Sequence, residues 1–204
     1  MRTNPALTDL RLATACLLAF SGFLRFNELI CLRPCDFEIS QEMMKIKILQ
    51  SKTDQLRQGD ELVIARTGNL TCPVAMLERY MDRTGMNLDD QRYLFRPIQK
   101  TKKGEGLRQS GKISYSCLRE LFKKKVATLG LPPSNFGLHS LRAGGATAAA
   151  NAKVPDRLFK RHKRWRSECA KDGYVKDHLQ SRLEVSRNLG LYPTTITRLL
   201  YDNL

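Results

Sequence analysis

Gly137-Leu138-His139-Ser140-Leu141-Arg142-Ala143-Gly144-Gly145 is the stretch on which the reading of this 204-residue chain turns. His139 and Arg142 stand about one helical turn apart, so a helix over His139–Ala152 carries both on neighbouring positions of one face. Gly144, Gly145 and the alanines after them leave room for another backbone to approach that helix closely. An arginine guanidinium is a planar fork that matches phosphate oxygens. A histidine beside it can pass a proton or hydrogen-bond the same phosphate.

Outward from this pair lie further groups that suit a phosphodiester. Arg25 opens an R-x-x-E unit with Glu28, on a helix expected over Leu24–Leu32 and closed by Pro34. Met44–Leu49 alternates as Lys45-Ile46-Lys47-Ile48, the pattern of a half-buried strand, and Glu61–Arg66 repeats it after the turn-rich Gln58-Gly59-Asp60. Lys52, in Ser51-Lys52-Thr53-Asp54-Gln55, therefore falls in or beside a β-hairpin loop. Trp165 stands nine positions before Tyr174. A tyrosine hydroxyl can act as a covalent nucleophile, and an indole N–H can donate one hydrogen bond to a phosphate oxygen.

Singly, each of these residues has a plainer reading. Arg25 and Glu28 make an ordinary surface pair on a helix. Lys52 is solvated, His139 buttresses a turn, and Arg142 pairs with any nearby acid. Trp165 belongs to the core and Tyr174 to a half-buried helix face. All six together, in a chain of net charge +15, read better as one constellation.

The remaining pattern is mainly helical. Thr8 caps a helix from Asp9 to Ser21, and Pro73 starts another through Tyr80. Tyr93-Leu94-Phe95 reads as a short strand and Gln99–Gly111 as a loop. Ser116–Leu129 is an amphipathic basic helix broken by Pro132-Pro133, and Val154–Trp165 and Lys171–Leu189 are helical, the last carrying Tyr174 near its start. The expected fold class is mainly α with a small antiparallel β-sheet, as a single domain over residues 1–204. Lys+Arg 35 against Asp+Glu 20 and a pI near 9.8 point to nucleic acid, and 42% hydrophobic residues point to a folded core. Six cysteines form no C-x-x-C pair and no zinc-type cluster with histidine, and Cys31 and Cys35 read as packing on one helix face. That usage fits reduced thiols inside a cell. The apolar run Leu12–Phe20 is too short to span a bilayer, so no membrane partner is expected.

Taken as a set, these motifs resemble the catalytic constellation of the tyrosine recombinases, the phage-integrase family. Ser21-Gly22-Phe23-Leu24-Arg25-Phe26-Asn27-Glu28-Leu29 looks like its first arginine motif and 137–145 like its H-x-x-R motif. Arg161–Arg166 leading to Asp172-Gly173-Tyr174 looks like its tyrosine motif, with Trp165 where many members have histidine. The 51–59 stretch is similar to the hairpin lysine of eukaryotic, mobile-element-type members. The resemblance implies a tyrosine recombinase catalytic-domain fold and DNA strand cleavage and rejoining through a covalent phosphotyrosine, without metal or cofactor. Arg25, Lys52, His139, Arg142, Trp165 and Tyr174 would be catalytic, and Glu28 would orient the first arginine. Lys160, Arg161, Lys163 and Arg164 would bind the DNA backbone; the same run would pass as a nuclear address in a eukaryote. His162 is not counted in the motif, because Trp165 has the matching distance to Tyr174. Family members usually carry an N-terminal clamp domain, and none is expected here before Arg25. The resemblance also implies a monomer in solution and a tetramer on two duplexes, joined through the apolar stripe of Val175–Leu191. The alternatives are a DNA-binding relic that no longer acts and a type IB topoisomerase-like relaxation.

Overall fold

Leu7–Ser21 forms the first helix, α1, in a computed structural model that describes residues 5–49, 60–102 and 104–163. Its cap is Ala6, with no side-chain capping bond, so Thr8 lies inside the first turn rather than before it. Leu10, Ala15, Leu18 and Ala19 are buried, and α1 runs against both α3 (Pro73–Thr84) and α5 (Leu138–Asn151). Gly22 is the C-cap of α1 and packs tightly: a Cβ there would lie 2.7 Å from Leu62.

The second helix, α2, covers only Phe26–Cys31. It starts two residues later than expected because Arg25 is its extended N-cap, and the Arg25 backbone N–H donates to Glu28 Oε2 at 2.8 Å. A one-turn 3₁₀ segment, Pro34–Asp36, repeats the device, Arg33 N–H donating to Asp36 Oδ2 at 2.8 Å. Because α2 ends at Cys31, Cys31 and Cys35 do not share a helix face, contrary to the sequence reading. Lys112 Nζ reaches the Cys31 sulfur, whereas Cys35 Sγ meets Gln91.

Three strands follow in the antiparallel order β1-β2-β3, with β1 at Phe37–Ile39, β2 at Met43–Ile48 and β3 at Asp60–Ala65. The pairing sets Ile46 opposite Leu62 and Lys47 opposite Glu61. Met44, Ile46, Ile48 and Leu62 are each no more than 2% exposed. Burying each such side chain contributes up to about 2 kcal/mol. The alternating pattern thus places β2 and β3 as expected, while β1 is an addition to the sequence reading.

Tyr93-Leu94-Phe95 is not a strand. Its backbone bonds go singly to separate partners, Leu94 N–H to Leu32 O and Ile113 N–H to Phe95 O, while Leu94 and Phe95 fill the core beside Tyr80. The stretch expected as a loop holds a second antiparallel hairpin, β4 (Ile98–Thr101) with β5 (Gly104–Leu107). Ser114 caps α4 (Tyr115–Thr128) by accepting from Cys117 N–H, and Pro133–Asn135 forms a 3₁₀ turn before α5. The last described helix, α6, is Asp156–Lys163. The helix expected over 171–189 lies outside the described residues. Among the described residues no helix is long and apolar enough to cross a membrane.

Candidate active site

The turn from Phe20 to Arg25 decides where the site lies. Phe23 sits at φ +47°, a left-handed conformation uncommon for an aromatic residue, and its side chain is buried. That geometry sends the chain sharply from α1 into α2 and aims the Phe23 carbonyl at Arg142, whose Nη1 donates to it. The α5 helix lies close against this turn. A Cβ on Gly145 would stand 2.1 Å from the Phe20 carbonyl and 2.9 Å from the Phe23 ring, so only glycine fits. The helix begins with the same local device as α2: Gly137 N–H donates to Ser140 Oγ at 3.0 Å.

Glu28 joins the two arginine motifs. Its side chain is 2% exposed, and its carboxylate pairs with both Arg25 and Arg142. Arg25 Nη1 lies 2.8 Å from Oε1, and Arg142 Nη1 lies 3.6 Å from Oε2. Arg142 is 4% exposed and Arg25 30%, so one guanidinium is held inside and the other reaches the surface. A buried carboxylate between two guanidinium groups offsets their mutual repulsion and the cost of burying Arg142. His139, one turn ahead of Arg142, is exposed, and its ring packs over Gly137, where a Cβ would lie 2.9 Å from it.

A cleft of about 110 Å³ opens beside Glu28, lined among others by Arg33, Asp36, Lys47 and Tyr93. Burial raises the Asp36 carboxyl above its ordinary range, against the opposing pull of the Arg33 backbone N–H and the Arg33 and Lys47 charges. The Tyr93 ring carries two cations, Arg33 at 5.4 Å and Lys112 at 5.6 Å. Of these cations, Lys47 was legible as an outward position of an alternating strand; Arg33 and Lys112 carry no local signal, because what makes them neighbours is the irregular path of 93–95.

The structure thus brings together Arg25, Glu28 and Arg142, with His139 on the same helix start. Lys52, Trp165 and Tyr174 lie outside the described residues, as do Arg164 and the segment 175–191. In the basic run, Lys160 pairs with Asp156 at 3.1 Å and Arg161 is exposed. His162, set aside in the sequence reading, is in the site's wall: its Nε2 lies 2.7 Å from the Ser21 carbonyl, and its ring meets Phe23 edge-on at 4.7 Å.

No protein-family model matches this chain. It is similar to an integrase/recombinase XerD homolog of Selenomonas ruminantium, 29% identical over 171 residues, which cover 83% of this chain and 48% of the relative. The solved structure of the XerH site-specific recombinase bound to its palindromic difH substrate superposes with a TM-score of 0.66 at 17% identity, over 91% of this chain and 47% of that one. The XerA recombinase gives a TM-score of 0.61 at 19% identity, over 90% and 58%. The Tn1549 transposon integrase in complex with circular intermediate DNA gives 0.55 at 16%, over 86% and 57%. The chain spans about half the length of the curated relative it matches. Mainly helical, with small antiparallel sheets and the two arginine motifs joined at one point, the chain has the tyrosine recombinase catalytic-domain fold.

Proposed function

We propose that this chain cuts and rejoins DNA strands through a transient phosphotyrosine. The observation that carries the reading is the Glu28 carboxylate, which gathers Arg25 and Arg142 from distant parts of the sequence onto its two oxygens. Phosphoryl transfer asks little of a protein beyond positioning and charge. Guanidinium groups fixed on a buried anion are already oriented before charge develops on the non-bridging oxygens.

In this mechanism Arg25 and Arg142 fork onto those oxygens, and His139 and the Trp165 indole N–H hydrogen-bond the same phosphate. The Tyr174 oxygen attacks phosphorus as His139 takes its proton, the new P–O bond forms, and the bond to the sugar oxygen breaks. Lys52 gives that oxygen its proton. Attack of a sugar hydroxyl on the phosphotyrosine reverses the step and releases Tyr174. Glu28 touches no reacting atom and acts as a positioning residue.

Double-stranded DNA is the partner, supported by the net charge of +15 and by the DNA-bound recombinase and integrase of like fold. Lys160, Arg161, Lys163 and Arg164 contact its backbone, where phosphate binding sets register without reading sequence. The transposon integrase of like fold supports a mobile-element setting; the eukaryotic type, in which the same basic run would address a nucleus, rests on the sequence resemblance of 51–59 alone. Assembly is a tetramer on two duplexes through 175–191.

The test is a suicide substrate nicked beside the scissile phosphate, with adducts followed by gel. A covalent adduct is expected from the wild type and not from Tyr174→Phe. An adduct that persists in Tyr174→Phe removes Tyr174 from the role, and none on any cognate DNA leaves only a binding relic. Plasmid relaxation run beside strand exchange separates recombination from topoisomerase-like turnover.

A further inference from the structure

The strongest unassigned contact in the described residues is the one between α6 and the turn that holds both arginines. His162 Nε2 lies 2.7 Å from the Ser21 carbonyl, a bond between residues 141 positions apart. A carbonyl only accepts, so Nε2 carries the hydrogen and donates it. The same imidazole stands edge-on to the Phe23 ring at 4.7 Å, and Phe159, one turn earlier on α6, meets that ring at 5.9 Å. Phe23, at φ +47°, needs its surroundings to keep it there. Its own carbonyl takes the Arg142 hydrogen bond, and two residues later the Arg25 backbone caps α2 on Glu28.

We propose that His162 is a positioning residue, locking the Ser21–Phe23 turn so that Arg25 and Arg142 stand in fixed relation. Resting on the proposed function, the inference adds that the directional tie of this imidazole to Ser21 couples α6, which precedes Trp165 and Tyr174 in sequence, to the arginine pair. Ring packing alone would leave the turn free to slide along α6. The directional N–H to Ser21 sets its register.

The experiment compares wild type, His162→Leu and His162→Gln in two measurements. The first is amide hydrogen exchange of Phe23 and Leu24 in the protein without DNA, where those amides bond the Phe20 and Ala19 carbonyls. The second is single-turnover cleavage of the suicide substrate at saturating DNA, with DNA affinity measured in parallel. In His162→Leu, exchange at the turn is expected to rise and cleavage to fall, each by about tenfold, the weight of one lost hydrogen bond. Affinity should stay within about twofold, since the many other cations hold the backbone. His162→Gln, whose amide N–H reaches about as far as Nε2, should restore both.

Unchanged exchange in His162→Leu overturns the lock. So does a His162→Gln that restores neither readout, because the donor would then not matter. Cleavage that stays at the wild-type rate while the turn opens overturns the positioning role, and so does cleavage that falls only in step with affinity. Should His162→Leu fail to fold, His162→Asn takes its place, its amide stopping one bond short. A wild type that makes no adduct removes the proposed function alone, because the exchange measurement still decides the lock.

Discussion

Among the described residues, Glu28 accepts from the Arg25 backbone N–H and the Arg25 guanidinium and pairs with Arg142 at 3.6 Å. Glu28→Gln keeps the shape and removes the charge, leaving the 4%-exposed Arg142 facing a neutral amide. Breaking a buried charge arrangement from one side costs about 3 kcal/mol or more. For a chain of this size that is a fall in melting temperature of roughly 10 °C, read by calorimetry. Arg25→Ala, at a residue 30% exposed, should lower it much less. Equal losses would mean that Glu28 serves Arg25 only. The Arg25–Glu28 pair was legible because R-x-x-E spacing brings two side chains together on one turn. Its extension to Arg142 was not, since it depends on the left-handed Phe23 turn and on α5 docking there. The His162 contact was not legible for a related reason: motif spacing measures distance to Tyr174 along the chain and says nothing of a carbonyl 141 positions away.

Among the elements, the α1–α5 contact sets the site's geometry. The sequence showed that Gly144-Gly145 permits close approach, but not that the Phe20 carbonyl is what approaches. In Gly145→Ala the new methyl must push that backbone away, since a carbonyl in a helix end cannot rotate aside as a side chain can. The expected cost is about 2 kcal/mol in chemical denaturation, with cleavage lost beyond what stability explains because Arg142 rides on the same helix. Gly144→Ala, whose Cβ would meet only the movable Phe20 ring at 3.3 Å, is the control and should cost little. If the two variants behave alike, the tight approach is not what places α5. Periodicity located the long elements well, α3, α4 and the β2–β3 pair among them, because one-sided burial writes itself into spacing. It missed β1, whose three residues are too few for alternation to register, and the β4–β5 hairpin, whose lysine, glycine and threonine bury too little for it to appear. It assigned 93–95 to a strand because full burial of Leu94 and Phe95 gives an apolar run whatever the backbone does.

At the scale of the whole molecule, the proposed function gives charge and fold separable effects on DNA. On the proposed function, a net charge of +15 would neutralise many phosphates at once, and counterion release would make affinity fall steeply with salt. Six neutralised phosphates would give a slope of about −5 in log affinity against log salt. Arg25 and Arg142 supply at most two of those contacts, so Arg25→Ala should flatten the slope by about one and weaken binding modestly. Cleavage would be another matter, because the arginine pair is held by Glu28 at one place and, on the proposed function, would act on one phosphate as its charge rearranges. Loss of a single preorganised donor of that kind costs on the order of 3 kcal/mol of barrier, about a hundredfold in rate. Fluorescence titrations of wild type and Arg25→Ala across a salt series, paired with single-turnover cleavage at saturating DNA, check both halves together. The expected outcome is a rate loss at least tenfold larger than the affinity loss at every salt concentration. If rate and affinity fall in parallel, Arg25 is one backbone contact among many, and the Glu28-centred pair is an anchor for the fold rather than the seat of the chemistry.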